Sequence, residues 1–205
     1  MDGIRQVPTA PGQRENSRAT GIVVLCTGDV CRSPMAAALL ARRLAALGVT
    51  VPVRSAGMIT SGDPPHPEVI SVMASYGIQI ASHRSRVVCA ADLASASLVL
   101  AMARDNLRHA AITEPGAWPR AFTLKELVRR GDQIGPRRPG EPLSDWLSRI
   151  HAGRERTSLL GDSPDDDVAD PAGGPLRAYA DIAGLLDRLV KSLAGLGWAH
   201  AGPHP

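Results

Sequence analysis

Cys26 and Arg32 are the residues of this chain whose types and spacing carry chemistry, within Val23-Val24-Leu25-Cys26-Thr27-Gly28-Asp29-Val30-Cys31-Arg32-Ser33-Pro34. A thiol and a guanidinium at this spacing, on a loop between a strand end and a helix start, form a site for a tetrahedral oxyanion. The loop's backbone N–H groups and the helix N-terminus both favour negative charge there. Such a field activates a thiol as a nucleophile at neutral pH. Gly28 allows the φ > 0 geometry that a tight anion-wrapping loop needs. Ser33 sits where a hydroxyl can hydrogen-bond a thiolate, and Pro34 suits the first turn of a helix. The alternative, an apolar Cys26 closing a buried strand with Arg32 solvated, leaves the strand, loop and helix order without a purpose.

The elements that position these residues follow from periodicity and breakers. A buried strand (Gly21 to Leu25) feeds the loop, and an apolar helix from about Ser33 stops at Gly48. Val49 to Arg54 alternates as a strand, with Pro52 marking an edge position, and runs into Ser55-Ala56-Gly57. Helical spacing recurs over Glu68–Tyr76, Ala90–Ala94, Arg104–Ala111, Leu124–Arg130, Leu143–His151 and Pro175–Leu196. Ser97 to Met102 is a continuous apolar run, as in a strand covered on both faces. A last short strand falls near Arg120 to Thr123. The alternation predicts an α/β fold: a four-stranded parallel, doubly wound sheet with helices on both faces. Ligands in such folds bind beyond the carboxyl ends of the strands, where Cys26 lies. Residues 1–19 read as a flexible leader, 20–198 as one domain, and 199–205 as a tail. Residues 131–164, rich in Gly, Pro and Arg, read as an insertion or flap.

Composition narrows the class. The 205 residues are 44% hydrophobic and 21% charged, ordinary for a globular protein, but only 3% aromatic, so aliphatic side chains and alanine must fill the core. The net charge of +3 comes from basic residues that are nearly all arginine and are scattered among twenty acids. Arg42-Arg43, Arg129-Arg130 and Arg137-Arg138 are too short and dispersed to make a nucleic-acid stripe. No stretch approaches the ~20 apolar residues of a membrane span, and the first twenty residues have no secretory h-region. Three cysteines make no disulfide framework; Cys26 and Cys31 on one loop argue for a reducing, cytoplasmic setting. Asp165, Asp166 and Asp167 read as a solvated acidic edge rather than a metal site. Neither metal nor cofactor is called for.

The motif Cys26 to Pro34 resembles that of the low-molecular-weight protein tyrosine phosphatases, a phosphatase I-like fold shared with thiol-coupled arsenate reductases. Ser55-Ala56-Gly57, His83-Arg84-Ser85-Arg86 and the run Leu98 to Met102 extend the likeness, as does Asp170-Pro171 before the last helix. The resemblance implies a phosphomonoester hydrolase working through a phosphocysteine on Cys26. The amides of Thr27, Gly28, Asp29, Val30, Cys31 and Arg32 would hold the phosphoryl oxygens, and the Arg32 fork would clamp two of them. Asp170 would be general acid and then base, and Ser33 would stabilise the thiolate. A polar network of Asp29, Ser33, Ser55 and His83 would support the loop. The implied partner is a phosphorylated protein or a small-molecule phosphate ester.

Three departures accompany the likeness. Asp29 stands where the family usually has asparagine, and its extra charge calls for a partner, for which a protonated His83 is the candidate. Ala172-Gly173 follows Asp170-Pro171 where the family has paired tyrosines, and Met58, Ile59 and Ser61 occupy a loop that usually offers an aromatic ring. The 131–164 segment could cap the cleft with Trp146 or Arg149, or merely decorate the surface. Two other functions use the same loop. A thiol-dependent arsenate reductase would need a relay, for which Cys89 is the candidate, although a buried core thiol is the simpler reading there. A catalytically weak phosphate-binding module is the second.

Overall fold

The computed structural model describes residues 21–199. The leader and the tail beyond residue 199 lie outside the described residues. Four strands, β1 (Ile22–Leu25), β2 (Val53–Ala56), β3 (Leu98–Ala101) and β4 (Ala121–Thr123), form one sheet in the order β2-β1-β3-β4, with every pairing parallel. The doubly wound expectation holds. The topological switch falls between β1 and β3, so the chain leaving β1 opens the crevice.

Strand periodicity sorts the core into two layers. Ile22, Val24, Leu98, Leu100 and Phe122 face one side, where α1 (Arg32–Ala46), α2 (Pro67–Ser75), α5 (Leu124–Ile134), α6 (Leu143–His151) and α7 (Leu176–Trp198) pack. Val23, Leu25, Val99, Ala101 and Ala121 face the other, against α3 (Ala90–Ser95), α4 (Arg104–Thr113) and the 3-10 turn 115–120. β1 is buried along its full length because both neighbours and both layers cover it. No helix among the described residues is long and apolar enough to cross a membrane.

Two expectations need correction. The second strand begins at Val53 rather than Val49. Val49 and Val51 pack against the core as a lead-in, and pairing begins only where the Ile22 amide reaches the Pro52 carbonyl. Trp146 and Arg149 do not cap the cleft. Trp146 is completely buried, faces Gly131 and Gly197, and donates its indole N–H to the Gly135 carbonyl. Arg149 forks onto Glu141, and this pairing holds the Glu141 carboxyl down at about 2. The amphipathic face of α6 thus belongs to the α5–α7 layer, because an aromatic side chain gains more by burial there than by covering a polar cleft.

Candidate active site

The chain leaves β1 at Leu25 and turns through residues 26–31 into α1. The Cys26 amide still pairs with the Ala56 carbonyl at 3.3 Å, which fixes the thiol at the carboxyl edge of the sheet. Its Sγ accepts the Asp29 amide at 3.2 Å and lies 2.9 Å from Ser33 Oγ. Among the described residues, the amides of Thr27, Gly28, Val30 and Cys31 donate to no protein acceptor, and the buried Nε of Arg32 has no partner. Buried or converging donors left unpaired in a native fold call for an anionic acceptor. Cys31, the N-cap of α1, is buried, and its thiol is pushed up to about 12 by burial first and by the Asp170 charge next. It stays a neutral thiol beside Cys26 at physiological pH.

Loop conformation is set differently from the expectation for Gly28. The left-handed residue is Asp29, at φ +54°, whereas Gly28 has ordinary φ. Aspartate tolerates this region because its carboxylate bonds locally. Here that carboxylate, fully buried, takes the Ser33 hydroxyl at 2.9 Å and the Arg86 amide at 3.2 Å. His83 Nε2 lies 2.7 Å from the Asp29 carbonyl and 3.5 Å from its Oδ2. The hydrogen bond to Asp29 raises the His83 pKa, outweighing the burial that opposes it. The structure therefore brings Asp29, Ser33 and His83 together under the loop. Ser55 enters through its carbonyl, which accepts from Arg86 Nε at 3.2 Å, rather than through its hydroxyl.

Asp170 reaches the same place from the far end of the sequence. Its Oδ2 lies 2.5 Å from Arg32 Nη2, while Arg32 Nη1 donates to the Val168 carbonyl at 3.1 Å. Half of the Asp170 side chain remains solvent-accessible, so the carboxyl stands at the rim with the guanidinium beneath it. Arg32 pairs with Asp170 and Cys26 with Ser33, and the Cys31 thiol lies within electrostatic reach of Cys26, Arg32 and Asp170.

Several supporting residues carried too weak a sequence signal. Thr60 Oγ donates to the Gly28 carbonyl at 2.7 Å, and the Met58 amide donates to the Thr27 carbonyl at 2.7 Å. Buried Asn106, on the first turn of α4, reaches Thr27 Oγ at 3.4 Å; its position just past β3 was the available clue. Gly57 explains Ser55-Ala56-Gly57: a Cβ there would stand 2.9 Å from the Gly28 carbonyl carbon and the Thr27 oxygen. Cys89 corrects its expected burial. It is exposed at the N-cap of α3, its thiol donating to Asp92 at 3.3 Å. The Asp165–Asp167 run is likewise no solvated edge, since Asp166 is buried between arginines. Among the described residues, no group of three or more His, Cys, Asp or Glu side chains could hold a metal ion.

Comparison with known proteins agrees with this geometry. The profile of the family described as "Low molecular weight phosphotyrosine protein phosphatase" matches residues 21–133. A probable low molecular weight protein-tyrosine-phosphatase, EpsP of Ralstonia solanacearum, is 38% identical over 64% of this chain and 89% of its own. A protein-arginine-phosphatase of Bacillus subtilis is 37% identical over 84% of this chain and 93% of its own. The solved structure of a cysteine-to-serine mutant of the arginine phosphatase YwlE, with a phosphorylated active-site serine, superposes at TM-score 0.64. It is 28% identical and covers 85% of this chain and 93% of that one.

Proposed function

The chain belongs to the low molecular weight phosphotyrosine protein phosphatase family, and from that membership we propose that Cys26 is the nucleophile of its phosphatase reaction. The protein is a cysteine-dependent phosphatase acting through a covalent intermediate. The reading of its individual residues rests on one observation. The Cys26 sulfur sits at the mouth of a loop in which the amides of Thr27, Gly28, Val30 and Cys31, together with Arg32 Nε, lack protein acceptors among the described residues.

In this reading a phosphoryl group settles on those amides and on Arg32, whose planar fork suits two oxygens at once. The incoming anion takes Arg32 Nη2 away from Asp170 and frees that carboxyl at the rim. Cys26 sulfur attacks phosphorus in line; the S–P bond forms as the bond to the leaving atom breaks. Protonated Asp170 gives that atom its proton. Asp170, now a carboxylate, takes a proton from water as the water oxygen attacks phosphorus. The S–P bond then breaks, and the Ser33 hydroxyl stabilises the departing thiolate. The Cys31 thiol, held neutral, does not compete.

The substrate is the phosphorylated side chain of a protein. The rim offers Met58, Ile59, Ala172 and Gly173 in place of aromatic walls, and Ile59 is 67% exposed. A side chain held by its phosphoryl group, without ring stacking, accommodates phosphoarginine as well as phosphotyrosine. Hydrolysis of p-nitrophenyl phosphate, phosphotyrosyl peptides and phosphoarginyl peptides tests this. Activity on a phosphopeptide, abolished by Cys26→Ser, supports the reading. Turnover confined to small esters overturns the protein substrate, and turnover by Cys26→Ser overturns the nucleophile.

A further inference from the structure

The three consecutive aspartates at 165–167 are separated by the fold. Asp165 is exposed, but Asp166 is only 6% exposed and sits between two guanidinium groups. Arg104 reaches its Oδ2 with Nε at 2.8 Å and Nη2 at 2.7 Å, and Arg129 Nη2 lies 2.8 Å from Oδ1. Burial pushes the Asp166 pKa up, but the hydrogen bond from Arg104 and the adjacent Arg129 charge outweigh it and hold the carboxyl below its ordinary value. Asp167 accepts the Arg104 amide at 2.7 Å and the Ser163 amide at 2.8 Å. Lys125 adds bonds to the Pro164 and Asp167 carbonyls. Val168 then joins the clamp to the crevice: its amide donates to the Met102 carbonyl at 2.8 Å, and its own carbonyl accepts from Arg32.

Beyond Val168 the anchoring thins. The Asp170 carboxyl is held by Arg32 and by the Ala172 amide at 3.2 Å. Once Arg32 turns to a phosphoryl group, the first of these is lost, and the height of Asp170 over the crevice depends on what fixes residues 163–168. We propose that Asp166, with Arg104 and Arg129, is a positioning residue that sets Asp170 against the leaving atom. This rests on the reading of Asp170 as general acid given above. The clamp touches no substrate; it acts through the backbone of Asp167 to Ala169.

A leaving-group comparison tests the proposal. Phenyl phosphate needs a proton delivered to its oxygen, whereas p-nitrophenyl phosphate scarcely does. Asp166→Asn lowers kcat/KM for phenyl phosphate by about tenfold or more and for p-nitrophenyl phosphate by less than about threefold. Arg129→Ala shifts the ratio the same way by a smaller factor. The Arg129 side chain is 44% exposed, so this variant decides the matter if Asp166→Asn does not fold. A folded variant that loses both activities equally, or neither, overturns the positioning role. Asp170→Asn separates the two claims. If it shows no leaving-group dependence, the general-acid reading fails and the clamp with it; if it does while the clamp variants do not, only the clamp falls.

Discussion

Ser33 Oγ lies 2.9 Å from Cys26 Sγ, and the same hydroxyl donates to Asp29 Oδ1 at 2.9 Å. One hydroxyl proton therefore faces two acceptors, the Asp29 carboxyl and the sulfur that must react. An asparagine at position 29 would remove that contest and take a negative charge from beneath the phosphate loop. Asp29→Asn is expected to tighten vanadate and phosphate inhibition by about three- to tenfold. Inhibition constants measured at fixed pH check this; weaker inhibition would show that the carboxylate is instead needed to hold the loop.

His83 compensates Asp29 in a pH-dependent way. Its pKa is raised above 6.5, chiefly by the hydrogen bond to Asp29. A raised histidine stabilises the fold fully below its unfolded value and loses that contribution as pH rises through the folded value. Melting temperature should therefore fall as pH climbs from 6.5 through that value. His83→Gln should flatten this slope, and an unaltered slope would remove His83 from the account.

Gly57 lies so close to the loop that a methyl group would meet backbone atoms of Thr27, Gly28 and Asp29 at 2.9–3.0 Å. Backbone cannot rotate aside as a side-chain tip can. Gly57→Ala should cost about 1–3 kcal/mol of stability and weaken vanadate binding by moving the amides. Thermal melts with and without vanadate measure both effects.

Trp146 should behave as a core residue of the catalytic domain. Trp146→Ala removes a fully buried indole and leaves the Gly135 carbonyl without its donor, at a cost of about 3–5 kcal/mol. Denaturant unfolding measures this. The part of the sample still folded should retain ordinary kcat, because α6 sits away from the crevice in the α5–α7 layer.

Much of this was legible in one dimension. Cys26, Arg32, Ser33 and Gly57 are local features of strand, loop and helix start, and short-range geometry dictates their placement. The order of strands and helices was readable because apolar periods of two and of 3.6 are properties of neighbours in sequence. The sequence marks Asp29 as a charge needing a partner, but nothing local says that its carboxyl takes Ser33, or that its own φ turns left-handed in place of Gly28. The family likeness puts Ser55 in the support network, yet its carbonyl does the bonding while Arg86 does the bridging.

The sequence by itself determined the nucleophile loop, the class of chemistry and the parallel sheet that carries them, because each depends on residues within a few positions of one another. Only the tertiary structure decided what stands around the loop: Asp170 on Arg32 across 138 positions, Asp166 between Arg104 and Arg129, Trp146 in the core, Cys89 in solvent. Charges and aromatic rings act through space over a few ångströms. Which of them meet is settled by the packing of helices on the sheet, not by their spacing along the chain.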